Sequence, residues 1–172
     1  MKSILLASLL ALSTLARAAD YSGTWALDKS RSKLPPPYER VRSHILINTQ
    51  TPTRLNVMVE MDAGLPEKDK TAIVYPLDGS VLNTESKIRM QQGQVSVPAT
   101  VTGSTDAEGG VHFLTKRTIP MGGQQITSND AEDWSLSADG NVLTVRRSTD
   151  SPRGKLDYEM VFVRQQPAAQ GG

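Results

Sequence analysis

The amino-acid sequence predicts an all-β protein built from antiparallel strands. Apolar and polar residues alternate along much of the chain, as on half-buried strands. Leu55, Val57, Val59 and Met61 share one predicted face, and Leu156, Tyr158, Met160 and Phe162 share another. Glycine, proline, asparagine and aspartate interrupt this alternation about every 8–12 residues, which favours a sandwich or a barrel.

The alternation predicts about ten strands, joined mostly by short turns. They are expected near residues 21–27, 40–50, 53–61, 70–76, 81–90, 94–103, 110–120, 124–136, 141–149 and 155–164. Asp78-Gly79 and Asp139-Gly140 are dipeptides typical of tight hairpin turns, because glycine adopts positive φ angles readily. Residues 29–39 contain three consecutive prolines, so they are predicted to form a loop, with a helical turn around 28–33.

The N-terminus has the features of a cleavable signal peptide. Lys2 precedes the apolar run 4–12, and Ala16 and Ala18 form an A-x-A cleavage site. The apolar run is too short to span a membrane, which takes about 20 residues. We therefore predict a signal peptide at 1–18, one β-domain at 19–165, a disordered tail at 166–172, and a periplasmic or secreted location, with no transmembrane segment after cleavage.

Charge and composition exclude several classes of function. Removal of residues 1–18 takes away Lys2 and Arg17, which leaves 17 basic and 18 acidic residues among 154. This near-neutral balance gives no electrostatic basis for nucleic-acid binding. The basic pairs Lys116-Arg117 and Arg146-Arg147 are expected on solvated strand faces. The chain has no cysteine, which excludes thiolate nucleophiles, cysteine-based metal sites and disulfides.

Few residues qualify as catalytic, and no cofactor or metal is predicted. The only two histidines are His44 and His112, and no metal-binding histidine motif is present. Each histidine lies in a predicted strand, where it can be a general base inside a barrel, an exposed strand residue or a hydrogen-bonded core residue. The candidate partner of the histidine is Tyr75 or an acidic residue. Glu132 and Asp133 are neighbours on a strand, so their carboxylates are expected on opposite faces.

Aromatic and thioether side chains are the candidates for ligand contact. Trp134, Tyr158, Met160 and Phe162 lie in the last predicted strands. They can form the core or line a pocket for an apolar molecule.

The segment 20–30, with Gly23-Thr24-Trp25 at its centre, resembles the opening of small exported bacterial lipocalin-like proteins. Those proteins begin D-F-S-G-T-W-x-L-D and continue into a proline-rich crossing. Residues 75–80, 132–145 and 158–164 also fit the resemblance, which thus spans most of the chain after residue 18. The resemblance implies an antiparallel lipocalin-like β-barrel of about 8–10 strands. It further implies structural roles for Gly23, Trp25 and Arg164, with the arginine packed across the tryptophan at the barrel base.

Three functions are compatible with such a barrel, since a fold does not dictate an activity. The first is binding of a small, largely apolar molecule in a barrel cavity. The second is a cofactor-free enzyme of isomerase, cyclase or hydrolase type, acting within the barrel through His44 or His112. The third is a structural or interaction module of the cell envelope.

Overall fold

The computed structural model of the protein describes residues 19–65, 68–90, 93–151 and 154–166. The predicted signal peptide lies outside the described residues, as does the predicted tail apart from Gln166. The described chain forms ten antiparallel strands in a lipocalin-like barrel, which confirms the predicted fold class. The strands are β1 (Gly23–Leu27), β2 (Ser43–Gln50), β3 (Arg54–Asp62), β4 (Asp69–Pro76), β5 (Val81–Met90), β6 (Gly93–Thr105), β7 (Val111–Met121), β8 (Gln124–Leu136), β9 (Val142–Ser151) and β10 (Gly154–Gln165).

Sequential hairpins build the sheet, and the first and last strands join its two halves. The strand order is β4-β3-β2-β1-β10-β9-β8-β7-β6-β5. Trp25 of β1 lies opposite Leu46 of β2 on one side and Arg164 of β10 on the other. Strands β4 and β5 are the two ends of this order, so a gap separates them.

At one end of that gap, a glycine on β6 allows β4 to approach closely. Gly103 on β6 lies so close to the carbonyl oxygen of Pro76, at the end of β4, that a Cβ atom there would collide with it. The backbone of Gly79 also donates to the carbonyl of Gly103, at 3.1 Å. Strand β4 therefore meets β6 at this end, although it does not pair with β5.

The proline-rich connection between β1 and β2 contains two short 3-10 helices. The helix at Lys29–Arg31 falls within the predicted helical turn, and the side chain of Asp28 caps it by accepting from the backbone of Ser30 and Arg31. The second helix, Pro36–Arg40, was not predicted. Proline suits the first turn of a helix, where its missing N–H leaves no bond unmade.

Aromatic residues and one arginine fill the base of the barrel, defined by Tyr21, Trp25, Trp134 and Arg164. Trp25 is fully buried and its indole N–H donates to the carbonyl of Tyr21, at 3.0 Å. The Tyr21 hydroxyl donates to the carbonyl of Trp134, at 3.0 Å. These bonds join β1 to the distant strand β8 across the closed end.

Candidate functional site

The barrel encloses a cavity of about 710 Å³, lined from β2 through β10 and by Tyr38 of the second 3-10 helix. This volume lies within the range of small-molecule sites, about 300–1,000 Å³. Consecutive residues line it along 70–75 of β4 and 84–87 of β5. Since neighbouring side chains point to opposite faces of a strand, such runs mean that the cavity reaches the gap between these two strands.

One wall of the cavity is apolar. Strands β2, β3 and β4 supply Leu46, Val57, Val59, Met61 and Ile73. On β3 the inward residues alternate with exposed ones such as Met58. This is the face that the alternation of residues 55–61 predicts.

The opposite wall carries charge, in a set of four side chains that we call the ionic network: Arg117, Asp130, Glu132 and Arg147. Asp130 is 3% exposed and pairs with both guanidinium groups, with 2.8 Å separating it from Nη2 of Arg147. Its other oxygen accepts from the Thr149 hydroxyl at 2.5 Å. Two positive and two negative groups thus balance inside the barrel.

Glu132 connects the ionic network to the aromatic residues. Its carboxylate accepts from the indole N–H of Trp134 at 3.0 Å and from the Tyr75 hydroxyl at 3.3 Å, and lies 3.6 Å from Nη1 of Arg147. Asp133, its neighbour, is exposed on the outer face. The two carboxylates point apart, as expected for adjacent strand residues.

The expectation that both basic pairs lie on solvated faces is wrong for one member of each. Arg117 and Arg147 face inward, with side chains only 16% and 25% exposed, and both line the cavity. A guanidinium group tolerates this burial because carboxylates accompany it. Burial opposes the charge on Arg147, yet Glu132 and the nearby tyrosines raise its pKa overall.

Of the three catalytic candidates, His44 and Tyr75 line the cavity. His44 is 7% exposed, stacks on Tyr38 at a ring distance of 6.1 Å and meets the edge of Phe162 at 5.3 Å. Burial, with a smaller contribution from Arg147, lowers the pKa of His44 to about 4. The ring is therefore neutral at pH 7. Burial and Glu132 raise the pKa of Tyr75 far above its usual value, so its hydroxyl keeps its proton.

His112, the third candidate, lies on the outer face of β7, with its side chain 47% exposed. Its ring nitrogens contact Asp133 at 2.6 Å and Asp106 at 3.1 Å. These hydrogen bonds raise its pKa. His112 does not line the cavity, so catalysis within the barrel is left with His44 alone of the two histidines.

The structure brings together three of the four predicted ligand contacts. Trp134, Met160 and Phe162 line the cavity. Tyr158 is half-buried and packs on Tyr38, with the ring centroids 5.8 Å apart. Tyr75 stacks on Phe113 at 4.1 Å and meets Trp134 at 5.8 Å, so aromatic rings also form part of the cavity surface.

The three residues with predicted structural roles meet at the base. The guanidinium carbon of Arg164 lies 4.1 Å from the ring centroid of Trp25, within cation–π distance. Arg164 also donates to the carbonyls of Ser22 at 2.6 Å and Gly140 at 2.8 Å. Gly23 has a φ of +124°, and a Cβ atom there would lie 2.6 Å from Nη1 of Arg164. A side chain at this position would displace the arginine.

Within the described ranges, no group of three or more histidine, aspartate or glutamate residues is arranged to hold a metal ion. No helix in this part of the chain is long and apolar enough to cross a membrane.

Comparison with known proteins gives one structural likeness. No protein-family model matches the chain, and no curated protein matches it. Among solved structures, the chain is similar to zebrafish ileal bile acid-binding protein in complex with cholic acid. The two are 9% identical, the match covers 84% of this chain and 98% of that one, and the TM-score is 0.46. The assignment of this chain to a barrel stands on its own strand pairing.

The ionic network was not predicted from the sequence, although a signal for it exists. Each member lies two or four residues from a buried apolar residue of its own strand. Arg117 follows Phe113 by four, Glu132 precedes Trp134 by two, and Arg147 follows Val145 by two. The period of two places such residues on the inner face.

Proposed function

We propose that the protein binds a small, largely apolar molecule in the barrel cavity. The observation that carries this proposal is the cavity of about 710 Å³, with its apolar wall on β2–β4 and its aromatic surface around Tyr75. Apolar surface with a few convergent polar groups is typical of ligand sites. The polar groups on the cavity surface include His44, Arg117, Glu132 and Arg147, and further polar residues of β4 and β5 line the cavity where it reaches the gap.

The experiment compares adjacent positions on β3. Val59 lines the cavity, whereas Met58 points outward and is 38% exposed. Val59→Trp places a large ring in the cavity, and Met58→Trp places the same ring outside. We expect the first variant to lower affinity for the uncharged fluorophore N-phenyl-1-naphthylamine at least tenfold, and the second to leave it within twofold.

Fluorescence titration measures both affinities, and thermal unfolding verifies that each variant is folded. Failure of the unmodified protein to bind the fluorophore would contradict the proposal. Equal affinities for the two folded variants would show that the fluorophore binds outside the barrel.

We further propose that the chain is one of the small exported bacterial lipocalin-like proteins, with a signal peptide at 1–18, a domain at 19–165 and a periplasmic or secreted location. The A-x-A site ending at Ala18 supports export. Expression of the whole sequence in a bacterium, cell fractionation and N-terminal sequencing provide the test. A periplasmic or secreted product that begins at Ala19 is expected, and an uncleaved product in the cytoplasm would contradict export.

A further inference from the structure

The two carboxylates of the ionic network already have their hydrogen-bond partners. Asp130 accepts from Arg117, Arg147 and Thr149. Glu132 accepts from Tyr75 and Trp134 and faces Arg147. A ligand group therefore has little to gain from these two side chains, and a hydrogen-bonding partner has to be found elsewhere on the cavity surface.

Two cavity-lining residues carry buried polar atoms that have no hydrogen-bond partner among the described residues. They are Nδ1 of His44 and Nε of Arg147. Unsatisfied buried polar atoms are uncommon, because a buried donor or acceptor without a partner loses the hydrogen bonds that it makes to water in the unfolded chain. A third such atom, Oδ1 of Asn48, belongs to a residue that does not line the cavity.

Tyr38 links these two residues into one subsite. Its ring stacks on His44 with an interplanar angle of 25° and packs on Tyr158, with the ring centroids 5.8 Å apart. Tyr158 is the cross-strand partner of Arg147. The two tyrosines thus connect His44 to Arg147. We call these four residues, His44, Tyr38, Tyr158 and Arg147, the tyrosine subsite.

Charge balance selects the kind of group that this subsite accepts. Carboxylates lie 2.8 Å and 3.6 Å from the guanidinium of Arg147, so its charge is already compensated. His44 is neutral at pH 7. A ligand carboxylate at Arg147 would be a third one beside a single guanidinium, and the other cations of the lining, Arg54, Lys70 and Lys87, are exposed residues of β3, β4 and β5. An unpaired buried charge is far costlier than an unpaired dipole. An uncharged oxygen avoids that cost.

We infer that the cavity takes an apolar molecule bearing one uncharged oxygen group, an alcohol or a ketone, held at Nε of Arg147 and the ring of His44. This inference rests on the proposed binding function. Nε of an arginine only donates, so the ligand must supply an acceptor. A neutral histidine has one donor and one acceptor nitrogen, and a hydroxyl group matches either.

The first experiment measures displacement of N-phenyl-1-naphthylamine by three eight-carbon probes at pH 7: octan-1-ol, octan-2-one and octanoate. The alcohol and the ketone are expected to displace it at concentrations at least tenfold lower than octanoate. Octanoate displacing as well as the alcohol would overturn the inference while the binding function stands. Absence of fluorophore binding would overturn both.

The second experiment uses the two histidines as a matched pair. His44→Phe keeps a ring against Tyr38 and removes both nitrogens, and His112→Phe makes the same change outside the barrel. A loss of at least fivefold in octan-1-ol affinity is expected for His44→Phe alone, and His112→Phe should leave both octan-1-ol and fluorophore affinity within twofold. A folded His44→Phe variant with unchanged octan-1-ol affinity would overturn the assignment.

A measurement on the unmodified protein keeps the inference testable if His44→Phe does not fold. With ¹⁵N-labelled histidine, octan-1-ol is expected to shift the ring-nitrogen resonances of His44 and leave those of His112 in place. Unshifted His44 resonances at saturating octan-1-ol would contradict the inferred contact.

Discussion

The base of the barrel and the ionic network both contain arginine, but different interactions stabilise the guanidinium charge in the two regions. At the base, Arg164 lies over the ring of Trp25 and donates to backbone carbonyls. In the cavity, Arg117 and Arg147 pair with Asp130, which is itself almost fully buried. The base thus depends on packing and backbone hydrogen bonds. The cavity depends on matched charges, where loss of one partner leaves another unpaired.

The largest effect is expected from Trp25→Ala at the base. Trp25 is fully buried, and the change removes its packing, its hydrogen bond to Tyr21 and its contact with Arg164. The free energy of unfolding should fall by about 4–5 kcal/mol. Urea denaturation measures this fall. The control Leu114→Ala, at a residue 47% exposed, should change it by less than about 0.5 kcal/mol. A loss below about 2 kcal/mol for Trp25→Ala would contradict a large contribution of the base to stability.

Asp130→Asn should be next in magnitude and tests the ionic network. It keeps the side-chain shape but leaves Arg117 and Arg147 with less negative charge. We expect unfolding free energy to fall by about 3 kcal/mol, since breaking a buried pair typically costs about 3–5 kcal/mol. Asp150→Asn, at an exposed position on β9, is the matched control and should have little effect. Equal losses for the two variants would mean that the balance of charges inside the barrel is unimportant.

The dependence of stability on pH should also distinguish the two regions, because His44 faces the cavity. Its pKa falls from 6.5 in the unfolded chain to about 4 in the folded one, chiefly through burial. The unfolded state binds more protons between these values, so this contribution is complete above pH 6.5 and is lost as pH falls towards 4. It amounts to about 3 kcal/mol when complete.

Urea denaturation at pH 4.5 and 7 measures this change in unfolding free energy. Comparison with His44→Phe separates the contribution of His44 from that of the carboxylates, which also titrate in acid. The variant should show a smaller loss of stability in acid than the unmodified protein. An identical pH dependence for both would contradict the burial of a neutral ring.

The smallest effect is expected from His112, on the outer face, and it has the opposite sign. Hydrogen bonds that its ring donates to Asp133 and Asp106 raise its folded pKa above the unfolded value. Its contribution is therefore complete below pH 6.5 and is lost as pH rises through the folded pKa. Because the ring is half-exposed, His112→Gln should lower stability at pH 5.5 by only a few tenths of a kcal/mol. NMR titration of the ring protons gives the direction of the shift, and a pKa below 6.5 would contradict it.

The strands could be predicted from the sequence because local patterns encode them. Alternation places Leu55 and Val57 on one face, and Asp139-Gly140 forms the expected turn between β8 and β9. The Pro36–Arg40 helix could not be predicted because three consecutive prolines indicate only that a sheet is interrupted. Its backbone bonds, such as Tyr38 to Pro35, form in a connection that the barrel holds in place.

The candidate site could be predicted only in part. Trp134, Met160 and Phe162 were singled out as apolar or aromatic residues, and the cavity brings them together. Arg117 and Arg147 were assigned to solvent because charged residues are rarely buried. Their burial depends on Asp130 and Glu132, which lie on another strand. The sequence shows no such pairing until the register of β7, β8 and β9 is known.

The sequence by itself determined the ten strands, their antiparallel hairpins and the inward faces of strands such as β3, because these follow from a period of two and from turn residues. Only the tertiary structure decided which histidine faces the cavity, that β4 and β5 stay apart, and that four charges balance inside the barrel. The physical reason is register. Alternation gives each strand two faces, but only the pairing of β7, β8 and β9 decides which charged groups lie side by side on the inner face.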